Sequence, residues 1–482
     1  MKKIIYMLIL AGMTVSCGDW LDVKPYDQIS EEQQYEKAQG FYNQLNGIYH
    51  SMASSELYGK ELSWGFMDVL AQYYDMSSYS PWEDKAYREL ANLEYDYERV
   101  KPYFAVYWEK MYNIIANCNN LVQNIAEADS TLFPQREKER RCIEGEARAL
   151  RGLLHFDLLR MFAPAPKVDA TGAYIPYVDF FPTHITMKME TNQVLDKIIG
   201  DLERGHELTM NYDTTYIQLI TDLGYRLELL TGGNINSFMN HRGYRLNHYA
   251  IKALLARVNM WKGDKAEALK WAGEMMDLVK KRWFDFTLEY TIKNKNMKLY
   301  DDVLFALYNN NLPLYESQTN EGKYQLVAWD YNCLFDSDGE RDFRRHQWKY
   351  NENEDYWQPL KYKKQEENGT EAEVSNLMIP MVRCSEMCYI MAECSWETDR
   401  TAAESYLNYI RQKRGCRSSL EPADTQEKFN KLILRDFRRE FYGEGQLFFF
   451  YKRLGLEGIR MSNTTIKYDN KFVFPIPESD DI

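Results

Sequence analysis

A mostly α-helical fold, a superhelical stack of tetratricopeptide-like hairpins with long irregular insertions and a few short strands, follows from three features of the 482-residue sequence. Apolar residues recur every three or four positions over many segments, the period of a helix with one face on a core. Two adjoining segments, 247–262 and 264–281, turn at Gly263-Asp264 within about 34 residues, the length of one tetratricopeptide repeat. Between the helical segments lie two long stretches, 53–100 and 282–378, rich in Tyr, Trp, Asn, Asp and Gly and lacking that period. With 45% hydrophobic and 27% charged residues, the chain is neither wholly disordered nor a multi-span membrane protein.

The amino terminus reads as a secretory signal over residues 1–16. Met1-Lys2-Lys3 is basic, and Ile4 to Val15 is mostly apolar over about 12 residues, short of the about 20 that cross a bilayer. Thr14-Val15-Ser16 places small or apolar residues before Cys17, the pattern of a bacterial lipoprotein cleavage site. Gly18 to Pro25 then forms a polar, extended tether. The mature chain is expected to reach the membrane through acyl chains on Cys17, with no transmembrane helix.

Helical stripes follow over about 33–52, 103–128, 140–162, 190–208, 247–262, 264–281, 380–397, 400–414 and 426–451. In the third, Ile143, Ala147, Leu150, Leu154, Leu158 and Met161 form one apolar line on an otherwise charged helix, which Pro164 and Pro166 end. Leu255, Ala256, Gly263, Asp264, Ala268 and Leu269 match the tetratricopeptide spacing, and 380–414 is a second pair of the same length. Trp108, Trp261, Trp271 and Trp396 fall on these stripes and are expected in the core. One domain, 17–482, is expected, with scaffold over about 33–281 and 380–455 and binding insertions at about 53–100 and 282–378. A strand is predicted at Val303 to Leu307.

The formal charge of -13, which becomes -15 once Lys2 and Lys3 leave with the signal, disfavours nucleic acid; no basic run of five or more is present. Arg341, Arg344 and Arg345 sit among acids. The seven cysteines after Cys17 cannot all pair within one chain. Cys384, Cys388 and Cys394 are spaced by four and six with no nearby histidine, which suits small buried residues better than zinc. His241 and His248 could share a helical face, and Asp336 to Glu340 reads as a turn rather than a calcium loop. No Walker loop, Gly-x-Ser-x-Gly elbow or His-Glu-x-x-His motif occurs, and no cofactor, metal or catalytic residue is expected.

Several segments resemble one family from end to end. These are SCGDWLDVKPYDQIS (Ser16 to Ser30), EGEARALRGLLHFDLLRMF (Glu144 to Phe162), Ala250 to Asp264, MVRCSEMCYIMAECSWETD (Met381 to Asp399), RDFRREFYGEGQLFFFYKRLG (Arg435 to Gly455) and Phe474 to Glu478. Together they are similar to the SusD/RagB outer-membrane lipoproteins of Bacteroidetes. Cys384 and Ser385 replace common alanines, and Phe449 or Phe450 a common aspartate. The resemblance implies a surface-exposed lipoprotein that caps a SusC-type TonB-dependent transporter and holds a glycan, sometimes a peptide, without catalysis. Residues 282–378 give only scattered similarity, in the region where the family varies with its nutrient.

Sugar rings have apolar faces and polar edges, so a glycan site needs exposed aromatic planes with polar margins. Trp82, Trp329, Trp348 and Trp357, with Tyr74 and Tyr331, are the candidates, each in a polar or charged stretch of an insertion. A helical glycoside hydrolase would instead need two carboxylates across a cleft, and a protein-only scaffold would bind no polysaccharide.

Metabolic labelling with an alkynyl fatty acid should mark the wild-type chain and not Cys17→Ala, which should leave the membrane fraction. A variant that still labels and stays bound would place the anchor elsewhere.

Overall fold

The computed structural model describes residues 31–76, 85–227, 237–293, 296–319, 326–335, 341–353, 355–365, 370–460 and 465–478. The signal, Cys17, Trp82 and Asp336 to Glu340 lie outside the described residues. The longer helices of the first half are α1 (Ala38–Met52), α2 (Lys101–Glu127), α3 (Arg136–Phe162), α4 (Thr191–Thr215), α5 (His248–Lys262) and α6 (Lys265–Lys280). They are followed by α7 (Ala328–Leu334), α8 (Ser385–Ser395), α9 (Arg400–Lys413), α10 (Gln426–Phe441) and α11 (Leu447–Leu454). From α1 to α6 each helix packs on the next; α6 packs on α8 and α8 on α9, which makes the expected stack. The α5–α6 hairpin turns where the sequence places it. Gly263 has φ +93°, and the Asp264 carboxylate accepts the Glu267 N–H at 3.1 Å to start α6.

The short strands pair locally, all antiparallel. β1 (Ala173–Pro176) pairs with β2 (Lys188–Glu190). β3 (Val303–Tyr308), on the predicted strand, pairs with β7 (Met378–Arg383). β4 (Leu326–Val327), β6 (Tyr356–Pro359) and β5 (Trp348–Asn351) form a sheet in that spatial order. A last pair joins Gly458–Arg460 to Thr465–Lys467.

Three helical expectations change. The 380–397 stripe is strand and then helix, because the apolar β3 needs a ladder partner and Met378–Arg383, buried throughout, supplies it. The 426–451 stripe breaks between α10 and α11. Gly443 (φ +73°) and Gly445 (φ +66°) turn the chain, and a Cβ on Gly445 would stand 1.9 Å from the Leu62 carbonyl oxygen. Helix α3 is not a charged helix with one apolar stripe. From Cys142 onward it is buried on nearly every face, because it lies between α2 and α4. It meets α4 so closely that a Cβ on Gly145 would be 2.9 Å from the Gly205 carbonyl oxygen.

Its charges are therefore paired inside. Arg151 binds Asp201 through Nε and Nη2 at 2.6 Å each, Glu146 receives Arg242 and Arg245, and Tyr58 donates to Asp157 at 2.6 Å. Burial drives the Glu146 carboxyl up, and the two arginines bring it below its ordinary value. Trp108, Trp261 and Trp396 are buried, and Trp271 is half-buried against the core. Cys384, Cys388 and Cys394 are buried free thiols; Cys388 and Cys394 touch Met276 and Met260 at 3.8 and 3.6 Å. His241 and His248 do not share a helical face. His241 precedes a 3-10 turn with φ +55°, whereas His248 opens α5 and stacks on His206.

The largest ionic network joins α10 to the second insertion. Glu440 accepts from Arg383 (2.5 Å), Arg414 (2.6 Å) and Arg344 (2.9 Å), all with fully buried side chains. Asp436 takes Arg344 (3.0 Å), Arg411 (3.1 Å) and the Tyr389 hydroxyl (2.6 Å). Asp302 holds Arg414 at 2.9 Å, Asp342 holds Arg344 at 2.5 Å, and Glu444 bridges Lys361 and Arg383. Burial pushes the Glu440 and Asp436 carboxyls up. Arg414 and Arg383 on the first, and Arg344, Arg439 and Arg411 on the second, more than reverse it.

Glu440→Gln should cost about 3–5 kcal/mol by leaving buried guanidiniums short of charge, seen as a lower urea midpoint. Glu427→Gln, on an exposed pair with Lys431 at 2.7 Å, should leave the midpoint unchanged. Because Asp436 and Glu440 lie below their ordinary 3.8 and 4.5, their stabilisation is complete above about pH 5 and is lost as pH falls. Asp68, pushed up to about 7 chiefly by burial, acts in the opposite sense and costs stability as pH rises from 3.8 towards 7. Melting temperatures should drop steeply below about pH 4; a flat profile there, or an unshifted Glu440→Gln midpoint, would contradict this account.

Candidate functional site

The second insertion builds a cleft of about 800 Å³ lined by Tyr331, Trp348, Trp357, Arg345, Arg341 and their neighbours. Its floor starts from strand pairing. In the three-stranded sheet Trp357 lies on the central strand β6, opposite Tyr350 of β5, so their side chains share a face and their rings sit 5.2 Å apart. Helix α7 then lays Tyr331 flat on Trp357, with ring centroids 3.6 Å apart and planes within 8°. Arg345 donates from Nε to the Tyr331 hydroxyl at 3.3 Å. The two rings are stacked face to face, so Tyr331 covers one face of Trp357 and holds the indole in place beside a cationic margin; an aromatic ring held in this way can meet the apolar face of a sugar.

The wall comes from the segment around Arg344. Asp342 accepts the Arg344 backbone N–H at 3.0 Å, opening a 3-10 turn over Phe343–Gln347. The Phe343 N–H donates to the Arg414 carbonyl at 3.0 Å, and the Gln347 side chain donates to the Met297 carbonyl at 2.7 Å. Arg344 turns into the ionic network, while Arg341, which precedes the turn, and His346 stay exposed. Glu289 faces His346 at 4.0 Å and pairs with Lys293 at 2.6 Å, which lowers the Glu289 carboxyl. Burial, with Lys293 nearby, lowers His346, so it is neutral at pH 7.

The structure divides the predicted rings. Trp357 is half-buried, with one face under Tyr331, and lines the cleft. Trp348 and Tyr331, expected as exposed planes, keep only 5% and 1% of their surface. Neither Trp348 nor Trp357 is in a loop; both are in strands, and Trp348, two residues before Tyr350 and on the same sheet face, packs against Tyr442 (4.8 Å) and Tyr73 (5.8 Å). Tyr74 is 4% exposed, contacts Tyr73 edge-on and does not line the cleft. Trp329 lies in the first turn of α7, two residues before Tyr331. The sequence reading missed Arg341, Arg345, His346, Glu289 and Arg417 as cleft residues. The run at 341–345 was the available signal, but only a 3-10 turn divides it into inward and outward charges. A second hollow of about 850 Å³, between α2, α3 and residues 179–182, has Phe181 as its one aromatic ring among the described residues.

Comparison with known proteins places the scaffold. Residues 19–260 match the SusD-like family described as starch-binding and associating with the outer membrane, and residues 289–473 match the SusD family. No curated protein matches the chain. Among solved structures, a SusD superfamily protein from Bacteroides vulgatus is similar at 20% identity and TM-score 0.68, covering 92% of this chain and 96% of that one. A SusD superfamily protein from Bacteroides thetaiotaomicron gives 20% identity, TM-score 0.67 and coverage of 92% and 97%. Surface glycan-binding protein A from the same species gives 14%, 0.65, and again 92% and 97%. At these identities the likeness is one of fold.

Support and platform should separate in stability measurements. Trp348→Ala should cost about 3–5 kcal/mol by opening a cavity, whereas Trp357→Ala, half-buried beside a cleft, should cost clearly less. Equal urea midpoints for the two variants would contradict this division.

Proposed function

Because the chain belongs to the SusD family, we propose that it is a surface-exposed outer-membrane lipoprotein that holds a glycan nutrient and passes it to a SusC-type TonB-dependent transporter. The observation that carries this reading is the Tyr331–Trp357 platform at the cleft, built from the second insertion. Trp357 supplies the stacking plane, Tyr331 and Trp348 keep it flat and in place, and no bond is made or broken. Anchoring through Cys17 fits the absence, among the described residues, of any helix long and apolar enough to cross a membrane. A partner transporter follows from the family and has its own test.

Calorimetric titration of a polysaccharide panel should find a glycan that the mature wild-type protein binds. Trp357→Ala should weaken it by about 1–3 kcal/mol, and Trp261→Ala should lower the melting temperature instead. Wild-type binding to no polysaccharide, or release of reducing sugar by the pure protein, would overturn the reading. Purification from expressing cells in mild detergent should bring down a TonB-dependent transporter, and its repeated absence would remove the delivery step.

A further inference from the structure

Among the described residues, the lining of the cleft carries a charge opposite to that of the molecule. The chain as a whole has a formal charge of -13, yet Arg341, Arg345 and Arg417 line this hollow. The two carboxylates among its described lining residues are already engaged. Asp342 is spent on Arg344 beneath the wall at 2.5 Å, and Glu289 on Lys293 at 2.6 Å, with Arg417 close enough to help lower it. Arg341 and Arg417 are exposed, and neither forms a hydrogen bond or ion pair with a described residue. Arg345 is fixed beside the platform by its bond to the Tyr331 hydroxyl.

A guanidinium presents a planar fork of N–H donors that matches a carboxylate or sulfate with two parallel bonds, roughly twice as strong as bonds to neutral acceptors. A neutral sugar offers only hydroxyls, which need no arginine cluster. The acidic remainder of the molecule does not cancel the local field. Interactions between exposed charges are screened beyond about 8 Å at physiological salt, so groups in the cleft wall outweigh distant carboxylates for a ligand seated there.

We propose that the cleft takes an anionic saccharide, with one ring stacked on Trp357 and its carboxylate or sulfate ester held by Arg341, Arg345 and Arg417. This rests on the reading of the cleft as a glycan site. It adds the ligand's chemical class, and it makes the arginines the groups that set specificity.

The test titrates the mature protein with polygalacturonate, alginate, hyaluronate and chondroitin sulfate, and with neutral starch, laminarin and carboxyl-reduced polygalacturonate. At least one acidic polymer should bind about tenfold or more tighter than every neutral one. The double variant Arg341→Gln/Arg417→Gln should lose at least about tenfold on that polymer while melting like wild type, and raising salt should weaken wild-type binding more than the variant's. Trp357→Ala should also lose affinity. Neutral polymers bound as tightly as acidic ones, with dependence on Trp357, would overturn the anionic assignment and leave the glycan reading standing. So would a double variant that binds the acidic polymer like wild type. Failure of every polymer would overturn both.

Discussion

Glu440 lies where the guanidiniums of Arg344, Arg383 and Arg414 converge, and those three come from the insertion, from β7 and from the end of α9. At such separations, with an effective dielectric near 20, each contact is worth roughly 5 kcal/mol, against a desolvation cost of several kcal/mol per ion. The balance in any one pair is small, and removing a partner is expensive. Such a network therefore acts less as a source of stability than as a rule of assembly. A displaced segment strands a buried charge, so the helical stack accepts the insertion in one arrangement.

The candidate site inherits that rule. Arg344, held by Asp342, Asp436 and Glu440, fixes the 3-10 turn that leaves Arg341 and His346 at the cleft. On the other side, α7 is tied to α10 by Arg439, whose Nε donates to the Leu334 carbonyl at 2.6 Å. The platform ring Tyr331 is in the same short helix. The α10 segment and the second insertion are thus parts of one buried electrostatic unit, and the outer residues of the cleft rest on roots fixed inside the scaffold.

The tyrosine content, 37 of 482 residues, has the same origin in part. Tyrosines would suit exposed flat surfaces, but many serve inside as donors to buried carboxylates: Tyr42 to Glu139, Tyr49 to Glu146, Tyr58 to Asp157, Tyr389 to Asp436. A phenol brings apolar area and one hydrogen bond to places where a carboxylate must be satisfied without another full charge. This suits a stack whose central helix α3 carries Glu, Asp and Arg on faces that the packing of α2 and α4 puts inside.

Local sequence determined the helices, the α5–α6 turn at Gly263-Asp264, the β3 strand and the family likeness, because periodicity, caps and turn residues act over a few neighbouring positions. It also pointed to Trp357 and Tyr331, as aromatic residues in a stretch without helical period. It could not say that Met378–Arg383 would extend to pair with β3, or that Gly443 and Gly445 would break a helix to pass the Leu62 carbonyl. Nor could it tell Trp348, sealed against Tyr73 and Tyr442, from Trp357, or Arg344 facing inward from Arg341 facing out. Those distinctions depend on partners many residues away along the chain. Burial and charge pairing are properties of the assembled neighbourhood, so the tertiary structure alone decided which rings and charges were left for a ligand.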